Sequence, residues 1–84
     1  MSETEIGKVI HYFDKIGVAV LKLNAALKVG ATIHILGPKT DFQQPVDSMQ
    51  VEHESIEEAK AGESVGLKAL EPVREGDKVF TVGA

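Results

Sequence analysis

The spacing of hydrophobic and polar residues predicts a chain of short β-strands joined by turns. Apolar and polar residues alternate along much of the chain, and the apolar runs are rich in β-branched and aromatic residues, which favour strands. From Phe42 to His53 the alternation slips once, between Val46 and Met49, which predicts one long strand with a bulge or bend. Five further segments are predicted as strands: residues 6–13, 18–23, 31–36, 64–70 and 78–82.

One seven-residue motif, apolar–Lys/Arg–x–Gly–x–x–Val/Ile, occurs three times and predicts where turns lie. It spans residues 27–33, 59–65 and 73–79. Its glycine occupies the position at which a tight turn needs a positive φ, which glycine adopts without a Cβ clash. A β-branched run follows each glycine. The motif therefore predicts three turns that each lead into a strand.

Residues 20–28 also support a helical alternative. This segment contains strong helix formers, with apolar residues at positions 20, 23 and 27. A nine-residue helix is marginal without packing, and Gly17 and Gly30 bracket the segment. We therefore favour a strand followed by a loop at residues 24–26.

The predicted elements indicate an all-β fold. About six strands with almost no helix are typical of a small, closed, six-stranded antiparallel β-barrel, since closure removes unpaired strand edges. We expect residues 1–5 to be a flexible N-terminus and residues 6–84 to form a single β-barrel domain. The predicted core consists of Val9, Val18, Val20, Ile33, Ile35, Val51, Val65, Leu67 and Val79.

Composition narrows the classes of protein to which the chain can belong. Its 84 residues suffice for one domain, and the absence of cysteine excludes disulfides and cysteine-based metal sites. The net charge of −4 argues against a general nucleic-acid coat protein. No apolar run reaches the roughly 18 residues of a membrane-spanning helix, and the acidic N-terminus is unlike a signal peptide. We expect a soluble, cytoplasmic domain that does not associate with membranes.

The three histidines were considered as metal ligands, because imidazole binds zinc well. No two of His11, His34 and His53 stand at ligand spacing on one predicted element. His34 lies between Ile33 and Ile35, so we expect it to face the opposite side of its strand. Surface histidines are the preferred interpretation, and we expect no metal site.

The acidic and hydroxyl side chains give no catalytic pattern. Carboxylates cluster at residues 52–54 and 57–58, but these lie in or beside a predicted exposed loop, where they should be solvated. The serines lack the Gly-x-Ser-x-Gly turn of a serine nucleophile. We therefore expect no catalytic or cofactor-binding residue, no cofactor, and no enzymatic activity in this chain.

Basic residues recur in or just after the predicted turns, at Lys28, Lys60, Arg74 and Lys78. If the turns gather at one rim of the barrel, these four side chains form a basic patch suited to RNA phosphate or an acidic partner. The alternative is that they serve only solubility and turn geometry.

Residues 46–67 carry a family resemblance. A Val-x-Ser-apolar pattern is followed by apolar-Glu-x-Ala and then by Gly-Glu-x-Val-Gly. This pattern resembles the second domain of translation elongation factors such as elongation factor Tu, and the turns at 27–30 and 74–79 are similar to those of that family. It also resembles the C-terminal barrel of collagenase-like peptidases, to which residues 14–23 are closer. The matching positions are Val46, Ser48, Met49, Ile56, Glu57, Ala59, Gly62, Glu63, Val65 and Gly66.

The resemblance implies a binding role. Translation factors have a nucleotide-binding domain ahead of this barrel, whereas this chain lacks a Gly-x-x-x-x-Gly-Lys-Ser/Thr phosphate loop. The main hypothesis is a non-enzymatic binding module that contacts RNA or a translation-related protein. The alternative is an accessory docking domain for a peptidase or other enzyme on a separate chain. A third hypothesis is an enzyme whose site forms between copies of the chain. A protein partner is expected, and the oligomeric state stays open.

Overall fold

The described part of the chain folds into short β-strands joined by turns. A computed structural model describes residues 3–51 and 54–82, and in these residues it contains no helix. Residues 20–28 accordingly contain strands and not the helix considered as an alternative. The ten strands are β1 (Glu3–Phe13), β2 (Val18–Leu23), β3 (Leu27–Lys28), β4 (Thr32–Gly37), β5 (Thr40–Pro45), β6 (Met49–Val51), β7 (Glu54–Ile56), β8 (Glu58–Ala59), β9 (Ser64–Lys68) and β10 (Lys78–Val82).

Eight strands form one antiparallel sheet, and the prediction of a closed six-stranded barrel is wrong. The order of the sheet is β5-β4-β10-β1-β2-β9-β6-β7, with β5 and β7 as its two outer strands, while β3 and β8 pair separately. The strand predicted over Phe42–His53 is divided, since β5 ends at Pro45 and β6 begins at Met49. The exposed loop predicted around the acidic residues 54, 57 and 58 instead contains two short strands, β7 and β8.

The first strand begins earlier than the sequence indicates. We expected residues 1–5 to be flexible, with the strand starting at Ile6. In the structure Glu3 pairs with Val82 and Thr4 with Thr81, so residues 3–5 belong to the ladder between β1 and β10. Residues 1 and 2 lie outside the described residues.

The three predicted glycine turns are confirmed. Gly30, Gly62 and Gly76 have φ values of 98°, 91° and 93°. In each turn the residue after the glycine donates its N–H to the main-chain carbonyl of the basic residue, at 3.1–3.2 Å. This is the geometry of a type II turn, which requires positive φ at its third residue. Since a main-chain carbonyl accepts the bond, the turn does not need a basic side chain.

The core lies on the concave inner face of the sheet, and the prediction for β2 was inverted. Ala19, Leu21 and Leu23 are buried, whereas Val18 and Val20 are only half-buried and face outward. The cause is that β2 is apolar on both faces, so its hydrophobic pattern does not choose between them. The buried core consists of Ile6, Val9, Ala19, Leu21, Leu23, Leu27, Ile33, Ile35, Val46, Met49, Ala59, Val65, Leu67, Ala69, Val73 and Val79.

Candidate functional site

An apolar groove of about 430 Å³ crosses the outer face of the sheet. Two of its residues are large hydrophobic side chains open to solvent, since Phe13 is 46% exposed and Ile16 is 64% exposed. Exposed apolar side chains gathered in one concavity are typical of a binding surface. The groove is lined by Phe13, Ile16, Val18, Val20, Gln50, Ser64 and Gly66.

Gly66 forms the floor of this groove. It pairs with Val20 of β2 on one side and with Gln50 of β6 on the other, so the three residues share the outer face. A Cβ at position 66 would lie 3.5 Å from Val18 Cγ1 and 3.9 Å from the Gln50 carbonyl oxygen, which are ordinary contacts. A Cβ therefore fits at this position, and the missing side chain of the glycine leaves the groove open.

An aromatic pair at the end of β1 borders the groove. His11 pairs with Val20, and its ring lies edge-on to Phe13 with a centroid distance of 4.3 Å. His11 Nδ1 lies 3.3 Å from Glu75 Oε2 on the neighbouring turn. Both side chains of that pair are about half exposed or more, so the contact is screened by solvent and weak.

Three lysines stand side by side next to the groove. Lys8 of β1 pairs with Lys78 of β10 on one side and with Lys22 of β2 on the other, and all three are exposed. We call these three residues the lysine row. Lys22 follows Val20 on the outer face of β2, so the row begins where the groove ends. At the other end of the groove, Lys68 pairs with Val18.

The structure places the four residues of the predicted basic patch in or directly after the three glycine turns. Lys78 belongs to the lysine row, whereas Lys28 lies on the two-stranded sheet opposite Glu58. Lys60 and Arg74 stand at the first position of their turns. The patch itself stays a prediction. Sequence reasoning missed Lys8 and Lys22, because only the strand register brings them beside Lys78.

His34 forms a second polar cluster, on the outer face of β4. Its Nδ1 lies 2.8 Å and 3.0 Å from the two carboxylate oxygens of Glu3, and its Nε2 lies 2.6 Å from Asp41 Oδ1. The hydrogen bond to Asp41, followed by that to Glu3, raises the pKa of His34 above its ordinary value of 6.5, while desolvation opposes the rise. The side chain is 14% exposed. Because both ring nitrogens are engaged by carboxylates, this histidine acts as a clamp between β1, β4 and β5.

Among the residues that the structure describes, the remaining ionisable side chains do not gather into a reactive site. Glu54, Glu57 and Glu58 are exposed, while Glu52 and His53 lie outside the described residues. Among residues 3–51 and 54–82, no group of three histidines and carboxylates is arranged to hold a metal ion. In the same part of the chain, no helix is long and apolar enough to cross a membrane.

The chain is similar in sequence to proteins named as proteases and collagenases. It is 46% identical over 77 residues to an uncharacterized protease of Methanocaldococcus jannaschii, a match that covers 90% of this chain and 19% of that protein. It is 34% identical over 80 residues to a collagenase of Porphyromonas gingivalis, covering 93% of this chain and 22% of the collagenase. The chain thus spans about a fifth of the length of these relatives. No protein-family model matches it.

The fold is that of a peptidase C-terminal domain. The structure superposes with a TM-score of 0.87 on the crystal structure of the C-terminal domain of a protein from Geobacillus thermoleovorans classed as a U32 peptidase. The match covers 93% of this chain and 91% of that domain, at 18% sequence identity. A selenomethionine variant of that domain gives a TM-score of 0.85 at 19% identity.

These relatives correct the assignment to translation elongation factors. The matching proteins are proteases and collagenases, and the expected tie to RNA or to a translation-related protein gains no support from them. The residues that carried the resemblance include Gly62, Ala59 and Val65, which the structure places in a turn and in the core. Such positions determine the fold and carry no information on what binds the surface. The resemblance to collagenase-like peptidases agrees with the relatives.

Proposed function

We propose that the chain is a non-enzymatic accessory domain of a U32-type peptidase, acting within the same polypeptide or on a separate chain. The observation that carries this proposal is the pattern of coverage. The match to the Methanocaldococcus jannaschii protease takes in nine-tenths of this chain and about a fifth of the protease. A unit of that size corresponds to one small domain beside a much larger remainder.

The side chains of the chain support a role other than catalysis. His34 offers no free ring nitrogen, because Glu3 and Asp41 engage both. His11 is half exposed at the edge of the groove and meets Glu75 at 3.3 Å. A general acid or base needs a positioned partner and a pKa matched to its task. Neither histidine stands beside a nucleophile in the described residues, so we assign catalysis to the remaining four-fifths of the peptidase.

The groove supports the proposal that the domain docks onto another protein surface. Phe13 and Ile16 leave apolar surface exposed at one end of the groove, and three lysines are aligned at the other end, an arrangement that costs stability in an isolated domain. A partner that covers the apolar side chains and neutralises the lysines removes both costs. An accessory role explains why this surface is exposed, whereas the fold by itself does not require it.

The test combines binding and activity. A U32-type peptidase is produced without its own C-terminal domain, its folding is checked by circular dichroism, and the purified chain is titrated against it by calorimetry. We expect saturable one-to-one binding and a change in peptide hydrolysis on addition of the chain. We expect the chain alone to leave gelatin and peptide substrates intact. Peptide hydrolysis by the chain alone, or the absence of association with the peptidase at chain concentrations up to about 1 mM, would contradict the proposal.

A further inference from the structure

The groove and the lysine row together form one composite surface whose chemistry indicates its partner. The groove supplies space for an apolar side chain, since its volume of about 430 Å³ lies within the usual range for small binding pockets, about 300–1,000 Å³. Its floor at Gly66 is bare backbone between Val20 and Gln50. A side chain that enters the groove therefore contacts the apolar side chains of Phe13, Ile16 and Val18 and has room at the bottom.

Positive charge lies at both ends of this groove. Lys22 stands at one end, continuing the outer face of β2 beyond Val20, and it connects through Lys8 to Lys78. Lys68 stands at the other end, opposite Val18. The chain as a whole has a net charge of −4, so this local concentration of cations runs against its overall charge. Charge complementarity calls for a ligand with carboxylates on both sides of an apolar group.

We propose that this composite surface binds an extended acidic segment of the peptidase, in which one apolar side chain enters the groove and flanking carboxylates meet Lys22, Lys8 and Lys68. The inference rests on the proposed accessory function, and it adds the binding face and the chemistry of the segment. The lining contains a single aromatic side chain, that of Phe13, so the groove suits leucine or phenylalanine better than a nucleobase, which prefers a series of stacking aromatics.

The peptidase itself is a better source for this segment than its substrate. In the relatives the matching part accounts for 19–22% of a longer chain, so domain and peptidase are tethered there. Tethering raises the effective concentration to the millimolar range, at which a small groove of modest affinity is sufficient. A substrate is not tethered to the domain, so its effective concentration is not raised. A groove that accepts one side chain would bind such a substrate only weakly.

Synthetic peptides test the chemistry of the surface directly. The probe is a fluorescently labelled peptide in which one leucine lies between aspartates and glutamates, and binding to the purified chain is followed by anisotropy. We expect saturable binding that weakens as salt is raised from about 50 mM to about 500 mM, because screening reduces charge interactions. Replacing the leucine by glycine should weaken binding by about tenfold or more, since the buried apolar area is lost. Replacing the acidic residues by glutamine should abolish the salt dependence.

Variants of the chain locate the binding site. Gly66→Val fills the floor of the groove, and Lys8→Glu reverses the central charge of the lysine row. We expect the first to abolish peptide binding and the second to weaken it by about fivefold or more. Lys28→Gln is the matched control, because it removes a lysine from the two-stranded sheet and should leave binding unchanged. Thermal melting of each variant confirms that it is folded.

Each alternative ligand of the groove predicts a different result in these binding experiments. Unchanged peptide affinity in Gly66→Val, or no peptide binding at all, would overturn the inference. So would binding of an RNA oligonucleotide or of anionic vesicles in place of the peptide, competition by gelatin, or a dimer of the chain that Gly66→Val dissociates.

The peptidase titration is independent of these results. If the peptidase binds while Gly66→Val has no effect, the proposed face is wrong and the accessory role stands. If the peptide binds while no peptidase does, the accessory role is wrong.

Discussion

The side-chain amide of Gln44 accepts a hydrogen bond from the main-chain N–H of Leu70 at 2.8 Å, and its NH₂ group donates to the neighbouring Lys68 carbonyl at 2.8 Å. Gln44 belongs to the outer strand β5, whereas Lys68 ends β9, far away in the order of the sheet. The amide group thus offers one hydrogen-bond donor and one acceptor, as the backbone of a neighbouring strand would. It therefore joins two parts of the curved sheet that no backbone ladder connects.

Removing this amide should destabilise the fold. Gln44 is 4% exposed, so Gln44→Ala leaves a donor and an acceptor without their partner, and each such loss costs about 1–3 kcal/mol. We expect the free energy of unfolding to fall by about 2 kcal/mol or more in urea denaturation. Gln43→Ala is the control, since Gln43 is exposed on the same strand and its loss should change stability by no more than about 0.5 kcal/mol. Equal effects from both substitutions would show that Gln44 does not join the sheet.

Stability should depend on pH through the clamp at His34. Because Asp41 and Glu3 raise the pKa of His34 in the folded state, folding favours the protonated ring. The stabilisation is fully present below the unfolded pKa of about 6.5, and it is lost as pH rises through the higher folded pKa.

Denaturation of the wild type and of His34→Gln at several pH values between about 5 and 9 measures this contribution. We expect the wild type to be the more stable at the acidic end and the difference to shrink as pH rises. His11→Gln controls for the loss of a surface imidazole. A stability difference between wild type and His34→Gln that grows with pH would contradict the account, as would an NMR titration that gives His34 a pKa at or below 6.5.

Valine should destabilise the fold at one of two glycines near β9 and leave it unchanged at the other. At Gly62 the φ of 91° is unfavourable for a β-branched residue, although no described atom lies within 4 Å of a Cβ there. Gly62→Val should therefore lower the free energy of unfolding by about 1 kcal/mol or more through backbone strain alone. Gly66→Val should not, because Gly66 lies inside a strand and valine favours strands. Equal melting midpoints for the two variants would refute this assignment of the turn.

The turns could be predicted from the sequence because glycine is the residue that most readily adopts the positive φ that they require. Gly30, Gly62 and Gly76 needed no tertiary information, since positive φ is a local requirement. The outward direction of His34 was equally local, because Ile33 and Ile35 beside it had to face the core.

The candidate site could not be predicted in the same way. Val18 and Val20 were predicted to lie in the core because β2 is apolar on both faces. Lys22 lies on the same face as both valines, because side chains alternate along a strand, and its charge indicated that this face is exposed. The lysine row depends on the register of three strands that are distant in sequence. Its members become neighbours only once the order of the sheet is known, and no local pattern states that order.

Reversing one charge in the lysine row should stabilise the isolated chain. Lys8 faces Lys78 and Lys22 across the strands, and like charges directly opposite one another are destabilising. Lys8→Glu turns both contacts into attractions, so we expect a gain of about 0.5 kcal/mol at low salt that shrinks as salt is added. Urea denaturation at two salt concentrations measures it, with Lys39→Glu, in the exposed turn between β4 and β5, as the control outside the row. A loss of stability in Lys8→Glu would show that the lysines do not repel one another.

The most direct test is the affinity of the chain for a U32-type peptidase that lacks its own C-terminal domain, measured for the wild type, Gly66→Val and Lys28→Gln. The account predicts saturable binding by the wild type and by Lys28→Gln. It predicts a loss of about tenfold or more for Gly66→Val, which closes the groove, while its melting midpoint stays unchanged. No binding by the wild type, or the same affinity for all three proteins, would contradict it.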